Sequence, residues 1–115
     1  MGNNKELGAE GERLAGEYLE QKGYKVLERN FRFKRAEVDI IAQKENLLVF
    51  VEVKYRKNNS FGYPEEFVSE RKIELIHLAS EHYVEKMDWK GNIRFDVIGI
   101  IKKSIPEIEH LEDAF

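Results

Sequence analysis

Two apolar runs, each interrupted by a charged triplet, constrain this chain more than anything else in it. Residues 36–56 read AEVDIIAQKENLLVFVEVKYR. Glu37-Val38-Asp39 lies in the first run and Glu52-Val53-Lys54 ends the second, with Lys44-Glu45-Asn46 between them as a hairpin connection. Residues two apart on a strand face the same side. Glu37 and Asp39 are therefore expected to share a face, and so are Glu52 and Lys54. LLVFVEV is apolar on both faces until Glu52, the pattern of a central strand covered on both sides with polar groups emerging at its C-terminal end. A carboxylate there costs several kcal/mol if it is desolvated and unpaired. An ion pair with Lys54 or Arg56 would answer that cost, and so would a metal ion. Spacing alone leaves both open.

The flanking elements follow from periodicity. Residues from about 4 to 22 carry Leu7, Gly11, Leu14, Ala15, Tyr18 and Leu19 at helical spacing, with Asn3 or Asn4 as cap and Gly23 as stop. Glycines at 8, 11 and 16 each cost a helix about 1 kcal/mol relative to alanine. Their presence predicts close packing on a sheet. Glu12 falls at the edge of the apolar face. YKVLERNFRF, residues 24–33, alternates as a strand with a bend near Arg29-Asn30. Residues 57–66 form a loop, and Ser69 caps a second helix over roughly 70–87 with Ile73, Ile76, Ala79, Tyr83 and Met87 as its core stripe. Arg71 and Lys72 sit in its first turn, where the helix dipole disfavours cations, which points to an anion or carboxylate nearby. A turn at 88–91, a strand at 92–102 and a short edge strand at 105–111 complete the chain. Asp96 is a polar interruption expected to play a structural part, paired with Arg94 or with a helix. His77 and His82 are five apart and do not share a face, so they read as non-ligands. The order is αβββαββ, an α/β fold in one domain spanning 1–115.

Composition narrows the chemistry. The chain has no cysteine, which removes thiolate metal sites and disulfides and fits a reducing cytoplasm. No apolar run approaches the roughly 20 residues a membrane span needs. The polar start MGNNKELG lacks the apolar region of a secretory signal. The net charge of -3 does not advertise a nucleic-acid binder, yet residues 22–35 hold six basic residues against one acid. Setting Glu12, Glu37, Asp39 and Glu52 aside as a metal site leaves 18 acids against 19 bases. Oxygen ligands of this kind suit Mg²⁺ or Mn²⁺. Asp39 and Glu52 form the best pair, the backbone carbonyl of Val53 could add a ligand, and Lys54 stands where it could orient or deprotonate a water or stabilise charge developing on a phosphate. No Gly-rich phosphate loop and no HExxH motif compete.

Asp39 followed by Glu52-Val53-Lys54 resembles the D…(D/E)xK signature of the restriction-endonuclease-like nucleases. The whole chain is similar to the YraN family, small bacterial proteins regarded as relatives of archaeal Holliday junction resolvases. The matching pieces are Gly8-x-x-Gly11-Glu12, Arg29-Asn30-Phe31-Arg32, Glu37-x-Asp39-Ile40-Ile41, Val49 through Lys54 with Arg56, Phe61-Gly62, Arg71-Lys72, Arg94-Phe95-Asp96-Val97 and Asp113-Ala114-Phe115. One departure is Ala36, where the family usually has glycine. The resemblance implies a restriction-endonuclease-like fold, a mixed sheet of about five strands flanked by two main helices. It implies Asp39 and Glu52 as metal ligands, Lys54 as the catalytic lysine, Glu12 as the helix-borne acid that completes the site, and Glu37 as an outer or second-metal group. It implies Mg²⁺ (or Mn²⁺) as cofactor, DNA as partner, branched DNA included, and a homodimer. Arg29, Arg32, Arg35, Arg56 and Lys72 are the expected nucleic-acid contacts. Two alternatives stand beside the nuclease: a nucleic-acid-binding protein with little or no cleavage, and a structural protein in which Glu52 is held in an ion pair.

Overall fold

A computed structural model describes residues 4–57 and 68–115, with side chains from residue 8 onward. The caps expected at Asn3 or Asn4, the Leu7 contact and the loop after residue 57 fall outside what is described. Helix α1 runs Asn4–Gln21, strands β1 Lys25–Phe33, β2 Ala36–Lys44 and β3 Leu47–Arg56 follow, then helix α2 Glu70–Met87 and strands β4 Asn92–Ile101 and β5 Glu107–Leu111. The αβββαββ order is the one expected. The strands form one mixed sheet in the order β1-β2-β3-β4-β5. β1, β2 and β3 pair antiparallel, β3 and β4 run parallel from Leu47↔Asn92 to Arg56↔Ile101, and β5 returns antiparallel to β4. The parallel pair requires a crossover, and α2 supplies it.

Each helix covers one face. α1 lays Ala15 and Leu19 against Tyr24, Ile40, Ala42, Val49, Val51, Ile98 and Ile100. α2 lays Ile76, Ala79 and Tyr83 against Ala36, Val38, Ile41, Leu48 and Phe50. Alternate β3 residues thus enter opposite cores, which is why the run from Leu48 to Val51 is apolar throughout. Ser69 caps α2 as expected, its Oγ accepting from the Lys72 amide at 3.1 Å. The expected stripe on α2 is shorter than its periodicity: Met87 is exposed, because the helix ends at the left-handed Asp88 and the chain turns away. Ala36 puts its methyl into the α2-side core, so the missing glycine here is filled by packing.

The glycines of α1 divide by use. A Cβ at Gly11 would lie 2.8 Å from Tyr55 Cβ on β3, and one at Gly16 would meet the Arg29 guanidinium. These two let the helix approach the sheet. Gly11→Ala is expected to destabilise the fold by about 1–3 kcal/mol, because the atom it meets is the root of a side chain and not a flexible tip. Chemical denaturation would register this; an unchanged midpoint would mean that α1 can shift at no cost. Gly8 meets no described atom within 4 Å and faces a cavity instead.

A candidate metal centre where two strands part

β2 does not keep one alternation along its length. Ala36 and Val38 face the α2-side core, yet Ile40 and Ala42 face the α1-side core. The phase changes at Asp39. Asn30, which stands across from it between the pairs Arg29↔Ile40 and Phe31↔Val38, has φ 52°, a left-handed conformation that asparagine tolerates better than most residues. On the other side, ladder pairing with β3 begins at Ile40↔Val51 and does not extend to Asp39. β2 and β3 part there. The Asp39 carboxylate stands in for the lost ladder: its Oδ2 accepts the Val53 amide at 2.8 Å. This backbone bond fixes the aspartate relative to Glu52 and Lys54, the residues on either side of Val53.

The parted strands open a cavity of about 380 Å³ lined by Gly8, Glu12, Asp39, Glu52, Val53, Lys54, Tyr55 and Lys72. Four acidic and basic groups expected at the site, Glu12, Asp39, Glu52 and Lys54, meet in it. Glu12 comes from the edge of α1, half-buried. Its carboxyl is raised by burial first; the Asn30 side-chain hydrogen bond works against that, and the charges of Asp39 and Glu37 add to it. Glu52 is only 3% exposed, and its contact cation comes from α2. Lys72 of α2 places Nζ 2.8 Å from Glu52 Oε2, an ion pair at contact distance. The carboxylate inferred from two cations in the first turn of α2 is Glu52.

Burial pushes the Asp39 carboxyl up to about 8, and Glu52 beside it adds to the rise through a shared hydrogen bond and its charge; the Val53 amide and Lys72 oppose it. An acid raised in the folded state stabilises the fold fully below its unfolded value. It loses that contribution as pH rises through the folded value. Asp39→Asn is therefore expected to be more stable than the wild type at pH 8, by about 1–3 kcal/mol, and equal to it below pH 4. Denaturation midpoints at both pH values check this, and a variant that is less stable at pH 8 would refute it. For Lys54, burial lowers the ammonium, and the nearby Lys72 charge lowers it further against the pull of Glu52 and Asp39. For Lys72, burial alone would do the same, but Glu52 outweighs it and the net shift is upward.

The donor set suits a hard divalent ion. Two buried carboxylates on adjacent strands compete for one proton and one ammonium. Among the described residues no three acidic or histidine side chains enclose an ion by themselves. A Mg²⁺ site commonly takes one or two protein carboxylates and leaves its other positions to water and substrate oxygens. Glu37 stands apart from the cavity. It pairs with Arg32 at 3.1 Å and lines a second cavity of about 420 Å³ with Arg35, Asp39, Ser69, Arg71, Lys72, Leu75 and Ile76.

The expected nucleic-acid contacts are not one open stripe. Arg29 donates to the Glu12 backbone carbonyl at 3.1 Å, Arg32 pairs with Glu37, Lys72 pairs with Glu52, and Arg56 ends β3. Arg35 lines the second cavity beside Arg71. Asn30 and Tyr55 were not singled out by residue type, though Asn30 lies in the Arg-Asn-Phe-Arg run. The backbone bend expected there was the available signal.

His77 and His82 pack on rings, His77 with Phe95 and Phe115, His82 with Phe31 and Phe33, as expected of non-ligands. No helix among the described residues is long and apolar enough to cross a membrane.

Known proteins are similar to this chain over nearly its whole length. Residues 11–100 match the group described as "Uncharacterised protein family UPF0102". A UPF0102 protein of Christiangramia forsetii is 47% identical over 100% of this chain and 98% of its own. One from Flavobacterium psychrophilum is 49% identical over the same shares, and one from Thermodesulfovibrio yellowstonii is 46% identical over 96% of each chain. With matches of this extent, the chain belongs to the UPF0102 family, the YraN family that its motifs resemble.

Proposed function

We propose that this protein is a metal-dependent endonuclease that hydrolyses phosphodiesters in DNA, with branched or junction DNA as its substrate. One observation carries the reading: Asp39, Glu52 and Lys54 converge on an open cavity where β2 and β3 part. Asp39, Glu52 and the Val53 carbonyl would hold Mg²⁺ or Mn²⁺, with Glu12 completing the site from α1. When bound, the ion supplies Lewis acidity to the phosphoryl oxygens and acidifies a water.

The chain's own groups do the rest. The Val53 amide holds Asp39 in place. Lys54, with its ammonium lowered by burial, orients the attacking water, accepts its proton more readily than an ordinary lysine, or offsets charge developing on the phosphate. Arg35 and Arg71 in the adjoining cavity suit a neighbouring phosphate, and Lys72 borders both cavities. Glu37 is an outer group on this reading. A cytoplasmic homodimer cutting two symmetric strands belongs to the same proposal.

A second reading, a nucleic-acid-binding protein that cuts little, draws on the Glu52–Lys72 pair, which already neutralises one carboxylate. Incubation with four-way junction, flap and linear DNA in Mg²⁺ and in Mn²⁺ separates the two. Cleavage of a branched substrate, abolished by chelator, is the expected result. Binding with no cutting of any substrate would favour the second reading.

A further inference from the structure

We propose that Lys72 is the resident counter-cation of Glu52, and that a divalent ion reaches the carboxylate pair only by displacing it into the adjoining cavity. The proposal rests on the reading of Asp39 and Glu52 as metal ligands. Four features of the structure support it. First, Lys72 Nζ stands 2.8 Å from Glu52 Oε2 and so occupies the approach to the buried oxygen that a metal ligand would have to offer. An ammonium and a divalent cation cannot both hold it, since like charges a few ångströms apart in a half-buried site repel strongly. Second, Lys72 is poorly placed for permanence. It lies in the first turn of α2, next to the cap at Ser69, where the helix dipole opposes positive charge. Third, it has room to leave. Its side chain is 40% exposed while that of Glu52 is 3% exposed, so one partner is fixed and the other is not. Fourth, Lys72 and Asp39 border both cavities, and the second holds Glu37, a carboxylate that can receive the ammonium, together with Arg35 and Arg71. A phosphate drawn there by the two arginines would receive it equally well.

The lysine then serves the site twice. It neutralises a buried carboxylate before metal binds, and it joins the phosphate-facing cations afterwards. Metal loading and substrate contact are coupled through one side chain, and the intrinsic metal affinity is reduced by the ion pair that must break.

Isothermal titration of Mn²⁺ into the full-length wild type, Lys72→Met and Lys54→Met tests this. Lys72→Met is expected to bind Mn²⁺ about tenfold tighter than the wild type. It is also expected to gain more thermal stability from Mn²⁺ than the wild type does. Lys54→Met should show the smaller change. Should Lys72→Met fail to fold, Lys72→Arg keeps the charge and grips a carboxylate more firmly, and is expected to bind Mn²⁺ several-fold more weakly. Wild-type binding with unchanged or weaker binding in Lys72→Met, or unchanged or tighter binding in Lys72→Arg, would overturn the displacement and leave the metal reading standing. No heat from any of the chains would overturn the metal reading, and the proposal with it.

Discussion

Lys54→Ala is expected to slow metal-dependent DNA cleavage by about two to four orders of magnitude while changing DNA affinity only a few-fold. The expectation comes from where β3 puts the residue. Lys54 is half-buried, lines the cavity with Asp39 and Glu52, and pairs in the sheet with Gly99 of β4. The Val53 amide bond to Asp39 ties the strand to the carboxylates immediately before the lysine. On the proposed nuclease reading such a group serves the reacting atoms and not the grip on the duplex, so its loss falls on the chemical step. Single-turnover rates on a branched substrate, with affinity measured separately, would show it. A variant that cuts as fast as the wild type would remove Lys54 from the chemistry.

The largest effect on stability is expected far from that site. Asp96 is fully buried in β4, yet every side of its carboxylate is occupied. Arg94 donates from Nε and Nη2 at 2.8 Å each, the Asp113 amide donates at 3.0 Å, and His110 Nε2 lies 2.6 Å away. The network continues from Arg94 to the Tyr24 hydroxyl at 2.9 Å and from His110 Nδ1 to the Tyr18 hydroxyl at 3.2 Å. It fastens the returning strand β5 and the residues after it to the sheet and to α1. Beside it, the Ala114 amide bonds the Phe95 carbonyl at 2.7 Å and Phe115 packs on Phe95.

Burial alone would raise the Asp96 carboxyl. The bonds from His110, Arg94 and the Asp113 amide outweigh it and hold the group below its ordinary value. Asp96→Ala leaves a guanidinium and an imidazole without their partner. It is expected to cost about 3–5 kcal/mol and to lower the Tm by roughly 10–20 °C. An acid held low contributes stability above its unfolded value and loses it as pH falls through the folded one, so the deficit should shrink in acid. A loss under 1 kcal/mol at neutral pH would mean that the network is not closed in solution. Asp39 and Asp96 thus give opposite signs from one residue type: the first is buried beside another acid, the second among donors.

Much of this was legible in the chain because it is set by neighbours in sequence. The two-faced apolar run of β3, the Ser69 cap and the Asn30 bend each follow from local rules, and α2 begins and ends where those rules place it. What was not legible depends on which element covers which face. Spacing put Glu52 on one side of β3, but its cation, Lys72, is twenty residues further on, on a helix that could be placed only once the crossover was known. The phase change at Asp39 was hidden for a similar reason. A period of two says which residues share a face on a regular strand, and β2 is not regular where it leaves β3. Glu12 needed the packing of α1 at Gly11 and Gly16 to bring it to the cavity. The Asp96–His110 pair joins β4 to β5, and neither residue's spacing predicts the other.

The central claim is that the gap between β2 and β3 is a metal-holding site. It is tested most directly by titrating Mn²⁺ into the wild type and into Asp39→Ala under one buffer. The predicted result is a saturable binding event in the wild type that is lost in the variant. Equal binding by both chains, or none by the wild type, would contradict it.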